Sequence, residues 1–237
     1  MSIFRDGKPF CDVHQINFEI MDGGFLKLNG VFCGPADCPR CLEDYQQRLF
    51  AGKIDQSQIP QRFAAKTFTD FNVTNAGQRR ALQVARDYVE RFDDHLKAGR
   101  SLVFCGKPGT GKTLLSSIIG TALLRKNLRI EYVTVAMLIR DLRSNWSNGG
   151  SEEGRLSQLR NLHLLILDEV GLSFGTDCEI QQLSEVIDLR YQLCRPTLVA
   201  SNYGLNELGK FLGERAVDRL KDNGGLAVIF NWESLRK

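Results

Sequence analysis

Eight residues, Gly106-Lys-Pro-Gly-Thr-Gly-Lys-Thr113, have the spacing of a loop that wraps a polyphosphate. Glycines at 106, 109 and 111 let the backbone bend so that its N–H groups and the start of the next helix face an anion. Lys112 then meets the β- and γ-phosphates of ATP and Thr113 holds magnesium, with Lys107, Pro108, Thr110 and Leu114 completing the loop. A second group stands downstream, where the apolar run His163-Leu-Leu-Ile-Leu ends in Asp168-Glu169. Two acids at the end of a buried strand, after a phosphate loop, suit hydrolysis: Asp168 holds magnesium through water and Glu169 polarises the attacking water. A helix N-cap pair is the plainer reading of a lone Asp-Glu, and it carries less weight behind a phosphate loop.

Two further placements stay open on spacing alone. Asn202, after Leu198-Val-Ala-Ser, is either a sensor of the γ-phosphate or an Asx turn before Tyr203-Gly204. Arg215 and Arg219 lie one helical turn apart, so both either approach one anion or form a solvated face.

A third chemistry is gathered near the N-terminus. Cys11-x-x-His14 and Cys38-x-x-Cys41 are two close ligand pairs, the layout of a small zinc knuckle with a closed tetrahedral shell. Cys33 can replace His14 as the fourth ligand. Buried small cysteines beside a surface histidine are the alternative. A module this small has too little core to fold unaided, so the metal would hold it together. Cys105, Cys178 and Cys194 read as core residues, and disulfides are not expected in a reducing compartment.

The elements that must carry these groups alternate between strand and helix, the pattern of a parallel sheet covered on both faces. Strands are predicted at Leu102 to Cys105, Ile130 to Val135, Leu164 to Leu167, Thr197 to Ala200 and Leu226 to Phe230. Helices are predicted at Thr113 to Lys126, Ala136 to Trp146, Ile180 to Leu193, and Leu205 to Leu220 with a break near Gly213. One long amphipathic helix is expected from Asn75 to Lys97, with Ala81, Ala85, Tyr88, Val89, Phe92 and Leu96 on one face and Gly99 past its end. The organisation that follows is a zinc-binding module at 1–50, a linker at 51–72 seated by Phe63, Phe68 and Phe71, and an ATP-binding α/β domain at 73–237 with five parallel strands.

Composition narrows the classes. The chain has 237 residues and a formal net charge of +3, too small an excess to argue for nucleic-acid binding by itself. Neither a signal peptide nor an apolar run long enough for a membrane span is legible, so a cytoplasmic location is expected, with no membrane partner. Arg140, Arg143 and Trp146, at helical spacing, form a candidate for stacking single-stranded DNA; packing of Trp146 in the core is the alternative.

Six segments occur in the order and spacing of the DnaC-type replicative helicase loaders of bacteria and their phages, which the chain resembles from about residue 59 onward. They are Ile59-Pro-Gln-Arg-Phe63, the phosphate loop, Val133-Thr-Val-Ala136, Leu164 to Glu169, Leu212-Gly-Glu-Arg-Ala-Val-Asp-Arg-Leu220 and Val228-Ile-Phe-Asn-Trp232. The resemblance implies an AAA+ ATPase that delivers the hexameric DnaB-type helicase onto single-stranded DNA during replication initiation, self-associating into a spiral on that helicase. It implies that Asn202 is the first sensor, that Arg219 falls on the arginine-finger position and that Arg215 is a second contact in trans. In that family the N-terminal part grips the helicase, but the Cys/His cluster differs from the helical N-terminal segment of the best-known loaders. Two other functions share these features: an IstB-like transposition helper ATPase, and a zinc-bearing nucleotide-gated adaptor without significant hydrolysis.

Overall fold

The computed structural model describes residues 3–5, 8–17, 27–28, 31–32, 39–147, 152–172 and 176–235. Cys33, Cys38 and the side chain of Trp146 lie outside the described residues. The chain divides into two compact units, residues 1–53 and 54–237.

In the first unit, β1 (Ile3–Arg5), β2 (Lys8–Cys11) and β3 (Ile16–Asn17) form an antiparallel sheet. A second antiparallel pair is β4 (Lys27–Leu28) and β5 (Val31–Phe32). Helix α1 (Pro39–Gln56) follows. Phe10 and Cys11 are buried, whereas Tyr45 and Leu49 of α1 are exposed.

The second unit begins inside the stretch read as a linker. Ile54, Ile59 and Phe71 are buried, and a short α2 (Gln61–Ala64) and a 3₁₀ turn at Phe68–Asp70 lie between them. The long helix expected over Asn75 to Lys97 is two helices, α3 (Ala76–Glu90) and α4 (Phe92–Ala98). They separate at Arg91, whose φ of −97° and ψ of 23° leave the helical region. A reciprocal cap between Asn75 and Gln78 starts α3, and Gly99, with φ 67°, stops α4. Tyr88 and Phe92 are fully buried on the predicted face, but His95, stacked on Tyr88 at 4.6 Å, takes the inner place expected for Leu96.

From there the chain gives β6 (Leu102–Gly106), α5 (Lys112–Arg125), β7 (Ile130–Thr134), α6 (Val135–Ser147), α7 (Glu152–Asn161) and β8 (Leu164–Val170). It continues through α8 (Asp177–Gln192), β9 (Thr197–Ser201), α9 (Leu205–Leu212), α10 (Glu214–Lys221) and β10 (Leu226–Phe230). The five strands expected are present in one parallel sheet of order β10-β6-β9-β8-β7. Gly213 breaks α9 from α10 with φ 84°. Helix α7 was not legible in the sequence because it is polar; what it buries is Leu159 and the Arg155 guanidinium, paired with Glu131 of β7.

Alternation along the strands divides the core. Val103, Cys105, Val133, Leu165, Leu167 and Val199 pack with residues of α6, α8, α9 and α10 in one cluster. The intervening residues, such as Tyr132 and Ile166, face the other side of the sheet, where α5 packs. Cys105 is therefore core, as its type suggested, but Cys178 and Cys194 are exposed. Cys178 lies in the first turn of α8, and Cys194 lies in the turn after that helix with φ 50°, so neither takes a place in the core. Arg190 of α8 is fully buried and ties elements together by donating to the carbonyls of Leu159 and Pro196 and to Thr197 Oγ1. Burial away from water lowers its guanidinium pKa to about 9, with neighbouring Arg195 adding to the effect.

Strand β8 carries one irregularity. Leu167 pairs with Val199 and Val170 with Ser201, so Asp168 and Glu169 together oppose Ala200. This bulge puts Glu169 at φ 59°, a left-handed conformation unusual for a residue with a side chain, and leaves its carboxylate exposed. Strain of this kind costs about 1 kcal/mol and persists only where the surroundings enforce it. Glu169→Gly is expected to stabilise the chain by about 0.5 kcal/mol, the relieved strain outweighing the glycine's entropy cost. Urea unfolding without nucleotide reads this directly, and a loss of stability would show that the glutamate side chain makes compensating contacts.

Candidate nucleotide site

Parallel strands present all their carboxyl ends at one edge, and the strand order decides what meets there. The loop after β6 and the acids of β8 are not on neighbouring strands; β9 runs between them, so Asn202 comes off the sheet between loop and acids. Pro108, Lys112, Thr113, Leu114, Asp168, Glu169 and Asn202 all line one cleft of about 530 Å3.

The loop is built on glycines that nothing else can replace in two respects. Gly106, Gly109 and Gly111 have φ of 124°, 75° and 99°. A Cβ at Gly106 would also lie 2.3 Å from the carbonyl oxygen of Phe230, the last residue of β10. That approach is fixed by hydrogen bonds on both sides, Gly106 N–H to Tyr203 O at 3.1 Å and Lys107 N–H to Phe230 O at 2.9 Å. Helix α5 begins at Lys112 directly after Gly111, so its unsatisfied first-turn N–H groups belong to the loop. The Lys112 ammonium, nearly buried, donates to the carbonyls of Gly106 and Lys107 at 2.7 Å each.

The segment after β10 straps the loop from outside. Trp232 is buried and donates from Nε1 to Thr110 O at 3.0 Å, and Leu235 N–H reaches Gly109 O at 2.8 Å. Lys107 Nζ and Glu233 Oε1 are 3.2 Å apart, an exposed pair worth little by itself. Leu235, Leu172, Arg62 and Phe63 also line the cleft. None of these four was picked out as a site residue from sequence; Arg62 and Phe63 lie in a shared segment, but nothing in their types marks a ligand contact.

Asp168 is the most constrained group in the cleft. Thr113 donates to its Oδ2 at 2.8 Å, the Tyr132 hydroxyl donates to the same oxygen, and Glu169 N–H donates to Oδ1 at 2.8 Å. A threonine hydroxyl that gives its one proton to a carboxylate keeps both lone pairs for a cation. The donors offered are oxygens, which suits a hard ion such as magnesium. The flexed loop, the helix start and the oxygen donors together fit a nucleoside triphosphate with its metal.

Arg215 and Arg219 stand apart from this cleft. Arg215 is exposed and lines a shallower groove of about 810 Å3 along α9 and α10. Arg219 is half-buried, ion-paired to Asp188 of α8, with its guanidinium 5.5 Å over the Tyr191 ring. Of the DNA candidates, Arg143 pairs with Glu179 at 3.1 Å and Arg140 is exposed.

The first unit brings together three of the four expected metal ligands. Cys11 Sγ lies 3.6 Å from His14 Nδ1 and 3.5 Å from Cys41 Sγ, and Cys41 Sγ is 3.4 Å from His14 Nδ1. The His14 backbone N–H holds the Cys11 thiol pKa down to about 6, which favours the thiolate a metal binds. His14 Nε2 is 2.9 Å from Asp44 Oδ2, an arrangement that aims Nδ1 at the two sulfurs. Three soft and borderline donors converging on one point fit zinc.

Comparison with known proteins agrees with this geometry. The sequence model of the family described as IstB-like ATP binding protein matches residues 40–224. The replicative helicase loader DnaC of Escherichia coli strain K12 is 38% identical over 171 residues, 72% of this chain and 69% of DnaC. The crystal structure of the DnaC helicase loader has a TM-score of 0.65 at 26% identity, covering 72% of this chain and 99% of that one. AMPPCP-bound DnaA from Aquifex aeolicus shares the fold, with TM-score 0.62 at 20% identity over 74% of this chain and 52% of that one. With an AAA+ ATPase fold, a phosphate loop and two acids in one cleft, this chain belongs to the IstB-like ATP binding protein family and is a relative of the replicative helicase loader DnaC.

Proposed function

We propose that the chain is an ATP-dependent loader that delivers a hexameric, DnaB-type replicative helicase onto single-stranded DNA during replication initiation. The observation that carries this reading is the 38% identity to DnaC over 72% of the chain. That role places the protein in the cytoplasm, and among the described residues no helix is long and apolar enough to cross a membrane.

In the proposed chemistry Lys112 exchanges its two carbonyl partners for β- and γ-phosphate oxygens, and Gly106 to Leu114 supply backbone donors around the phosphates. Thr113 and Asp168 would hold magnesium, which when bound neutralises charge on the transferring phosphoryl group. Glu169, turned into the cleft by the bulge, orients the attacking water. Asn202 reads the γ-phosphate from the end of β9. Phe63, Leu172 and Leu235 give the apolar wall a base can use.

The pull-down that tests this uses purified replicative helicase with and without ATP. Capture should depend on ATP and be lost in Lys112→Ala, while Glu169→Gln should bind ATP, stop turning it over and keep hold of the helicase. Capture of a transposase in place of the helicase would move the chain to the IstB-like helper reading. ATP-gated capture without turnover by the unmodified chain would leave only the adaptor reading.

Arg215 and Arg219 lie outside their own cleft, so their proposed target is the γ-phosphate in a neighbouring subunit, within a spiral assembled on the helicase. Such an arginine is worth about 10³ or more in rate. Use of Arg219 in trans requires exchange of its Asp188 partner, whereas Arg215 is already exposed. Mixing Arg219→Ala with Lys112→Ala subunits should restore turnover at hybrid interfaces; full activity of Arg219→Ala alone would remove the residue from the mechanism.

The N-terminal unit is proposed to hold one zinc through Cys11, His14, Cys41 and Cys38, with Cys33 as the substitute for His14, and to present the helicase-gripping surface. Metal analysis should find one zinc per chain, lost in Cys41→Ser while nucleotide binding persists, because every residue of the cleft belongs to the other unit. Well under one zinc per unmodified chain would overturn the assignment.

A further inference from the structure

We propose that Tyr132 is a positioning residue for the ATP site, fixing the carboxylate of Asp168 in the orientation that magnesium requires; this rests on the reading of Thr113 and Asp168 as the magnesium side of the cleft. Tyr132 sits in the middle of β7, the edge strand next to β8. In register it pairs with Ile166, so Asp168 is its neighbour two residues further along the same face. That diagonal is within the reach of an aromatic side chain. The ring is 4% exposed, and the Tyr132 N–H donates to Ser57 O at 2.8 Å, closing the outer side of the strand at this residue.

The hydroxyl donates to Asp168 Oδ2, the same oxygen that accepts from Thr113 at 2.8 Å. Oδ1 is held separately by the Glu169 N–H at 2.8 Å. Three donors on two oxygens leave the carboxylate one orientation. Without the tyrosine, Oδ2 would depend on Thr113 alone, and Thr113 must also turn lone pairs towards the metal. A core position on a buried strand is ordinarily filled by an aliphatic residue, because a buried hydroxyl is costly if it finds no partner. Here its partner is an acid of the cleft, which gives the hydroxyl a use beyond packing.

The contrasting explanation is that Tyr132 is a packing residue whose hydroxyl takes a nearby acceptor. The two differ in what Tyr132→Phe does to magnesium. Binding of a fluorescent ATP analogue is measured in EDTA and across a magnesium titration, for the full chain and for Tyr132→Phe. Affinity in EDTA should be unchanged, which also shows the variant is folded, and the magnesium needed for half of the metal-dependent gain should rise about tenfold, the usual scale for removing a group that orients a metal ligand. In an Asp168→Asn background the same substitution should add no further shift, because the two act through one contact. An unchanged magnesium midpoint in Tyr132→Phe, with clear magnesium dependence in the unmodified chain, overturns the inference and leaves the ATP site standing. Absence of any magnesium dependence in the unmodified chain overturns both.

Discussion

The close passage of β10 beside the start of the phosphate loop is the constraint on which the rest of the nucleotide unit depends. At Gly106 there is room for a hydrogen and nothing larger, since a Cβ would stand 2.3 Å from the Phe230 carbonyl oxygen. That contact lets one loop be tied to the strands on both of its sides, to Tyr203 beyond β9 and to Phe230 in β10. It also brings Phe230 against Phe104 and Trp232, with centroids 5.0 and 4.8 Å away, and so sets Trp232 over the loop. The loop is thereby held by backbone on three sides, while its inner side stays open to the cleft. A flexible glycine-rich segment becomes a preformed cradle through contacts that involve no ligand.

The opposite wall is organised around Asp168. A regular strand would alternate Asp168 and Glu169 across the two faces of the sheet, and only one of them could then reach the cleft. The bulge opposite Ala200 removes that limit by placing both acids at the same edge, with the left-handed backbone of Glu169 as its cost. The same distortion delivers the Glu169 N–H to Asp168, so the strain of one acid contributes to the fixing of the other. Chemistry and local instability are concentrated in two adjacent residues, while the rest of β8 and all of β9 are buried.

The two units rely on different physics. The larger one has an apolar core on both faces of a parallel sheet and pins its buried charges, as with Arg190 on four protein oxygens and Arg155 on Glu131. The smaller one offers two short antiparallel sheets, and among its described residues a polar contact stands out, the convergence of Cys11, His14 and Cys41 with Asp44 behind the histidine. A unit of that kind is where a bound metal has the largest effect on folding.

Much of this was legible in the residues alone. The phosphate loop, the acid pair, the five strands and the break at Gly213 follow from local signals: glycine spacing, apolar runs of strand length, and a residue that leaves the helical region without steric cost. The pairing of Cys11 and His14 with Cys41 was legible for the same reason, because ligand chemistry restricts residue type and spacing. What the sequence could not contain was anything set by the order of strands in the sheet. That order inserts β9 between loop and acids, carries Trp232 and Leu235 back over the loop, and sets Tyr132 beside Asp168 across 36 residues of chain. Helix α7 escaped for a related reason, since burial there depends on which neighbour arrives and not on local periodicity. Residue types and spacing determined which chemistry the chain can do; the meeting of side chains distant in sequence, decided by packing, determined which residues hold that chemistry in place.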